Sequence, residues 1–92
     1  MEKYVIVIEK ASNNYSAFSP DVVGCIATGG TIEETIAEMK DALSFHLESL
    51  LEDGAELPLG KGLLYHLQHE KMSEYEPESL FVEVAVAIPY PA

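Results

Sequence analysis

Residues 18–50, FSPDVVGCIATGGTIEETIAEMKDALSFHLESL, join a turn, a short apolar strand and a long amphipathic helix with almost no slack between them. Thr31 followed three residues later by Glu34 has the form of a capping box just ahead of an apolar-periodic run. Ile32, Ile36, Met39, Leu43, Leu47 and Leu50 are spaced by three or four residues, so they share one stripe of a helix. Gly54 suits the turn after a helix and Pro58 lies a few residues beyond, which predicts a helix from Thr31 to Asp53, about 33 Å long. Its apolar stripe faces a sheet. On the opposite arc stand Glu34, Glu38, Asp41, Glu48 and Glu52, with Phe45 among them. A solvated outer face with one exposed aromatic is the plain reading of that arc. The functional reading is a docking face, with the aromatic as an anchor and the carboxylates meeting basic side chains.

Working outward, YVIVIE (Tyr4 to Glu9) is β-branched and aromatic and reads as a strand buried on both faces. Ser12, Asn13 and Asn14 follow as a hairpin connection, since Asn tolerates the positive φ that tight hairpins use. A second strand is predicted over Tyr15 to Ser19 and a third over Cys25 to Thr28, bounded by Gly29 and Gly30, which gives a three-stranded antiparallel meander. The last strand is LFVEVAVAI (Leu80 to Ile88). A strand that follows a crossover helix is expected parallel to its neighbour, so it is placed parallel to strand one, in the order 3-2-1-4. The predicted fold class is therefore a small α/β or α+β domain, β-β-β-α-β, with one long helix on one face. The other face then needs cover, either from a partner subunit or from the segment between Leu57 and Ser79. Self-association is the expectation that follows.

Ninety-two residues at 48% hydrophobic suit one domain over 1–92, with a core at 3–58 and 80–88 and a connection at 59–79 that carries a helical turn or two around Leu63 to Lys71. No run of 18 apolar residues exists, and Met1, Glu2, Lys3 and the strand after them lack the signal-peptide pattern, which predicts a cytoplasmic protein that does not cross a membrane. The net charge of -11 comes from 16 acidic residues against five lysines and no arginine, so direct DNA binding is not expected and a basic protein partner is favoured. Cys25 is the single cysteine and sits in an apolar stretch, where a free thiol packs as a small hydrophobe.

Nothing in the chain has the pattern of a cofactor site. TGGT leads into a helix but lacks the spacing of a dinucleotide or phosphate loop. His66 and His69 share a helical spacing next to Glu70, but no third ligand holds a diagnostic position, so they read as surface histidines and no metal is expected.

The run YSAFSPDVVGCIATGGTIEETIAEMKDALSFHLESLLEDGAELP resembles the N-terminal domain of HicB-family antitoxins, carried by Phe18, Pro20 and Asp21, then Gly24 and Cys25, then a glycine, a threonine and a long acidic helix. The resemblance covers about residues 3–58 and implies a partial RNase H fold. It also implies an antitoxin that occludes a small basic mRNA-interferase toxin (HicA-like); the residues themselves lead to the expectation that such a toxin docks through the outer helix face and an exposed strand edge. Glu34, Glu38, Asp41, Phe45 and Glu48 are the candidate partner-binding residues. The chain stops at Ala92 where many of the family continue into a DNA-binding domain, so operator binding is not carried over. The segment containing Tyr65, His66 and Tyr75 matches no motif of the family. Complete RNase H enzymes gather carboxylates around metal ions at the sheet, whereas strand one has Glu9 only at its end, so no catalytic residues are expected. The alternative reading is an orphan oligomeric scaffold or adaptor without a toxin. A short lysine-rich reading frame beside the gene would favour the antitoxin.

Overall fold

The computed structural model describes residues 2–70 and 74–88. The elements run β1 (Glu2–Lys10), β2 (Tyr15–Phe18), β3 (Ile26–Gly29), α1 (Ile32–Glu52), α2 (Leu63–His69) and β4 (Leu80–Val86). They form a four-stranded sheet in the order β3-β2-β1-β4. The β1–β2 hairpin closes through Ala11 N–H donating to the Asn14 carbonyl at 2.8 Å. Among the described residues only glycines have positive φ, so the asparagines of this turn do not use the left-handed region.

The predicted helix is present almost to the residue. Thr31 is its N-cap and its hydroxyl accepts the Glu34 amide at 3.1 Å, while the Glu34 carboxylate reaches back to Gly30 N–H at 3.0 Å. At the other end Gly54 takes φ +71, and the Gly54 and Ala55 amides close on the Leu51 and Leu50 carbonyls at 3.1 and 2.9 Å. Met39, Leu43 and Leu47 are fully buried against Tyr4, Ile6, Ile8, Val84 and Val86, and Ile32, Ile36 and Leu50 pack at the margin. Each fully buried side chain of this kind contributes about 1.5–3 kcal/mol.

β4 departs from expectation. It takes its predicted place beside β1 but runs antiparallel to it, with Tyr4 opposite Val84 and Ile8 opposite Leu80, not parallel. The reason lies in the path after α1. On the α1 face the Tyr4 hydroxyl donates to the Pro58 carbonyl at 2.8 Å. The chain then passes the flank of β1 that β2, ending at Phe18 opposite Val7, leaves open. Gly60 sits there against the Lys3 carbonyl, where a Cβ would collide with backbone. Beyond it α2 lies over the other sheet face, where Leu63 N–H donates to Glu83 at 3.3 Å and Tyr75 packs between Phe18 and Phe81. This traverse carries the chain from the start of β1 to its far end, so β4 must enter at Ile8 and run back.

The same traverse covers the second sheet face. Val5 and Val7, on the side of β1 away from Tyr4, Ile6 and Ile8, are 0% exposed. The cover comes from the chain's own residues after α1, α2 and Tyr75 among them, without a second subunit.

Candidate functional site

Two places gather polar or charged side chains, and they differ in character. The first is the outer arc of α1. The capping box and the buried Met39, Leu43 and Leu47 fix the rotation of the helix, so Glu34, Glu38, Asp41, Phe45 and Glu48 are all turned to solvent. Phe45 is 73% exposed. From Glu34 to Glu48 the arc extends about 21 Å along the axis. Glu34 is partly committed to capping at Gly30, whereas Glu38, Asp41 and Glu48 have no ion-pair partner among the described residues.

The arrangement works against the helix. Glu34–Glu38 and Glu48–Glu52 are like-charge pairs four residues apart, each costing about 0.2–0.5 kcal/mol. The last turn carries no basic residue while Glu52 and Asp53 stand at the negative end of the helix dipole. An incoming cationic surface relieves both costs, and Phe45 offers an apolar anchor in the middle.

The second place is buried and structural. β1 leaves the Val5 amide and carbonyl without a strand partner beyond the end of β2, and a Ser19–Asp21 turn takes over. Val5 N–H donates to Asp21 Oδ2 at 2.8 Å and Ser19 Oγ donates to the Val5 carbonyl at 2.7 Å. Asp21 Oδ1 accepts Lys61 N–H at 3.1 Å and lies 2.7 Å from His66 Nε2. The carboxylate is acceptor-only when ionised, so Nε2 carries the proton of that bond. Glu70 lies 3.4 Å from His66 Nδ1 without making a hydrogen bond.

His66 is therefore not the surface histidine the sequence suggested: it is 3% exposed and ties α2 to the loop before β3. His69 is exposed and stacks on Tyr65, with ring centroids 4.2 Å apart. The signal missed was Asp21 itself, an acid set between Pro20 and an apolar pair, where burial demands donors. Among the described residues no group of three or more His, Cys, Asp or Glu could hold a metal ion. Burial pushes the Cys25 thiol up, away from the reactive thiolate. No helix among the described residues is long and apolar enough to cross a membrane.

Comparison with known proteins places these features in company. A family described as the HicB-like antitoxin of bacterial toxin–antitoxin systems matches residues 4–88. A 14.9 kDa protein from the rep-hol intergenic region of Haemophilus phage HP1 is 36% identical over 72 residues, 78% of this chain and 54% of its own length. The chain thus spans about half of that relative. Among solved structures, a chain of the HicA3 and HicB3 toxin–antitoxin complex superposes with a TM-score of 0.77 at 23% identity, covering 92% of this chain and 98% of that one. The N-terminal domain of the Burkholderia pseudomallei antitoxin HicB gives 0.75 at 24% identity, covering 94% and 99%. At these identities the superpositions establish the shared fold.

Proposed function

Because the chain belongs to the HicB-like antitoxins of bacterial toxin–antitoxin systems, we propose that it is a non-catalytic antitoxin that binds and occludes a small basic, RNA-cleaving toxin. The docking face is the outer arc of α1. Glu38, Asp41 and Glu48 meet toxin lysines and arginines, Glu34 contributes from the capping turn, and Phe45 enters an apolar pocket between them. The observation that carries this reading is the row of unpaired, mutually repelling carboxylates around a 73%-exposed phenylalanine on an otherwise well-capped helix. The like-charge pairs on that face cost α1 stability, and a cationic partner would relieve the cost. A surface that neutralises RNA phosphates with basic side chains is the surface such a row would cover, so binding and inhibition are one event.

The test is inhibition of a purified small basic toxin encoded beside the gene, read as RNA cleavage against added antitoxin. Glu38→Lys combined with Glu48→Lys is expected to raise the dissociation constant by about tenfold or more and to flatten its dependence on salt. An inhibition curve unchanged by the pair of reversals would sink this face.

A further inference from the structure

Among the described residues, His66 Nδ1 is a buried ring nitrogen without a hydrogen-bond partner. Native folds rarely leave such an atom unpaired. On one side of the ring Nε2 is bonded to Asp21 Oδ1 at 2.7 Å, and on the other Nδ1 faces Glu70 Oε1 at 3.4 Å. With its proton on Nε2, a neutral ring turns the Nδ1 lone pair towards a carboxylate, two acceptors with no hydrogen between them. A proton on Nδ1 supplies that hydrogen and sets an imidazolium between two carboxylates.

The charges around the ring favour that proton. The Asp21 side chain is 0% exposed, and the Val5 and Lys61 amides that it accepts carry no full charge. Burial disfavours a charged ring, but an anion is already buried beside it, so the proton turns a lone buried charge into a buried pair. The neighbouring groups leave the two carboxylates as its partners. Tyr65 meets the ring edge-on, with centroids 5.2 Å apart, and the Lys61 ammonium stands 5.0 Å over the Tyr65 ring. His69 Nδ1 lies 2.8 Å from the Tyr65 carbonyl, and Glu83 on β4 accepts the Leu63 amide. Burial and the Glu70 carboxylate push the Tyr75 hydroxyl up, and burial pushes up the Cys25 thiol in the same cleft, so both stay neutral.

α2 depends on this contact. Its N-terminus has no side-chain cap, Leu64 and Leu67 are turned to solvent, and His66 is its one buried residue. We propose that His66 is a pH-sensitive latch: protonated, it bridges Asp21 and Glu70 and clamps α2 to the loop before β3; neutral, it holds Asp21 alone and α2 opens more often. The folded chain holds this proton between two carboxylates, whereas the unfolded chain holds it in water. By linkage the clamp is therefore full at about pH 6 and is lost as the pH rises towards about 8. This goes beyond the antitoxin reading and does not rest on it.

Nuclear magnetic resonance of the purified full chain tests it, from about pH 6 to about pH 8. His66 is expected to keep its second ring proton to a higher pH than the same histidine in the urea-unfolded chain. Exchange protection of the Lys61 and Leu63 amides, which hold α2 to Asp21 and Glu83, is expected to rise severalfold as the pH falls across this range. Glu70→Gln places an amide donor opposite the neutral Nδ1, so it should hold α2 equally at both ends of the range. Glu52→Gln removes the same charge from α1 and should leave the pH profile unchanged. A His66 ring that gives up its proton at or below the pH of the unfolded chain overturns the proposal. So does protection that fails to rise as the pH falls, or a profile that Glu70→Gln leaves as it was or that Glu52→Gln flattens equally. None of these results bears on toxin inhibition.

Discussion

Replacing Asp21 by alanine removes one carboxylate from three donors at once. The Val5 amide, in a residue 0% exposed, loses a 2.8 Å acceptor with no water or strand to replace it, at about 1–3 kcal/mol. His66, 3% exposed, loses its 2.7 Å partner at a similar cost of about 1–3 kcal/mol. The Lys61 amide, bonded at 3.1 Å and only part-buried, reaches water, so its loss is about 0.5–1.5 kcal/mol. Together these come to about 2.5–7.5 kcal/mol, against about 5–14 kcal/mol for a domain of this length. Equilibrium urea unfolding followed by circular dichroism reads the loss as a lower midpoint at unchanged slope. Asp21→Ala and His66→Ala share one hydrogen bond, so the double variant should be less destabilised than the sum by about 1 kcal/mol or more. Amide exchange at Val5 and Lys61 should quicken in Asp21→Ala. A loss below about 1 kcal/mol, or additive behaviour with His66→Ala, would refute the view that this carboxylate pins Lys61 and α2 to the sheet.

Three further outcomes can be measured on the same material. Phe45→Ala should change stability by less than about 0.5 kcal/mol, because the ring is 73% exposed, yet weaken toxin inhibition severalfold; equal effects on both would assign Phe45 to packing. Gly60→Ala should cost about 1–3 kcal/mol in urea unfolding, since its methyl group points into the Lys3 carbonyl and neither backbone can yield freely. Cys25 should react with iodoacetamide at pH 8 far more slowly in the native chain than in urea: burial raises its pKa, the thiolate fraction at a given pH falls, and equal rates would contradict that burial.

The helix and its faces were legible because their determinants are local. A capping box, a stripe at three- and four-residue spacing and Gly54 specify start, rotation and end within some twenty residues, so which side of α1 is acidic follows from the sequence without reference to the sheet. The strand order was legible for a related reason: the hairpins are sequential and the last apolar strand had one neighbour left to pair with. The direction of β4 was not legible. It depends on Gly60 slipping past Lys3 and on Asp21 holding Lys61 and His66, contacts between residues 40 or more positions apart. Gly60 belongs to no periodic pattern, the helical spacing of His66 does not show what it meets, and the rule for crossover connections assumed that the chain returned directly from α1. Sequence alone determined the elements, the buried stripe and the acidic face, because side-chain periodicity is written residue by residue. Only the tertiary structure decided the antiparallel return of β4, the covering of the second sheet face and the burial of His66, because each depends on one turn's unpaired backbone and carboxylate meeting a distant segment in space.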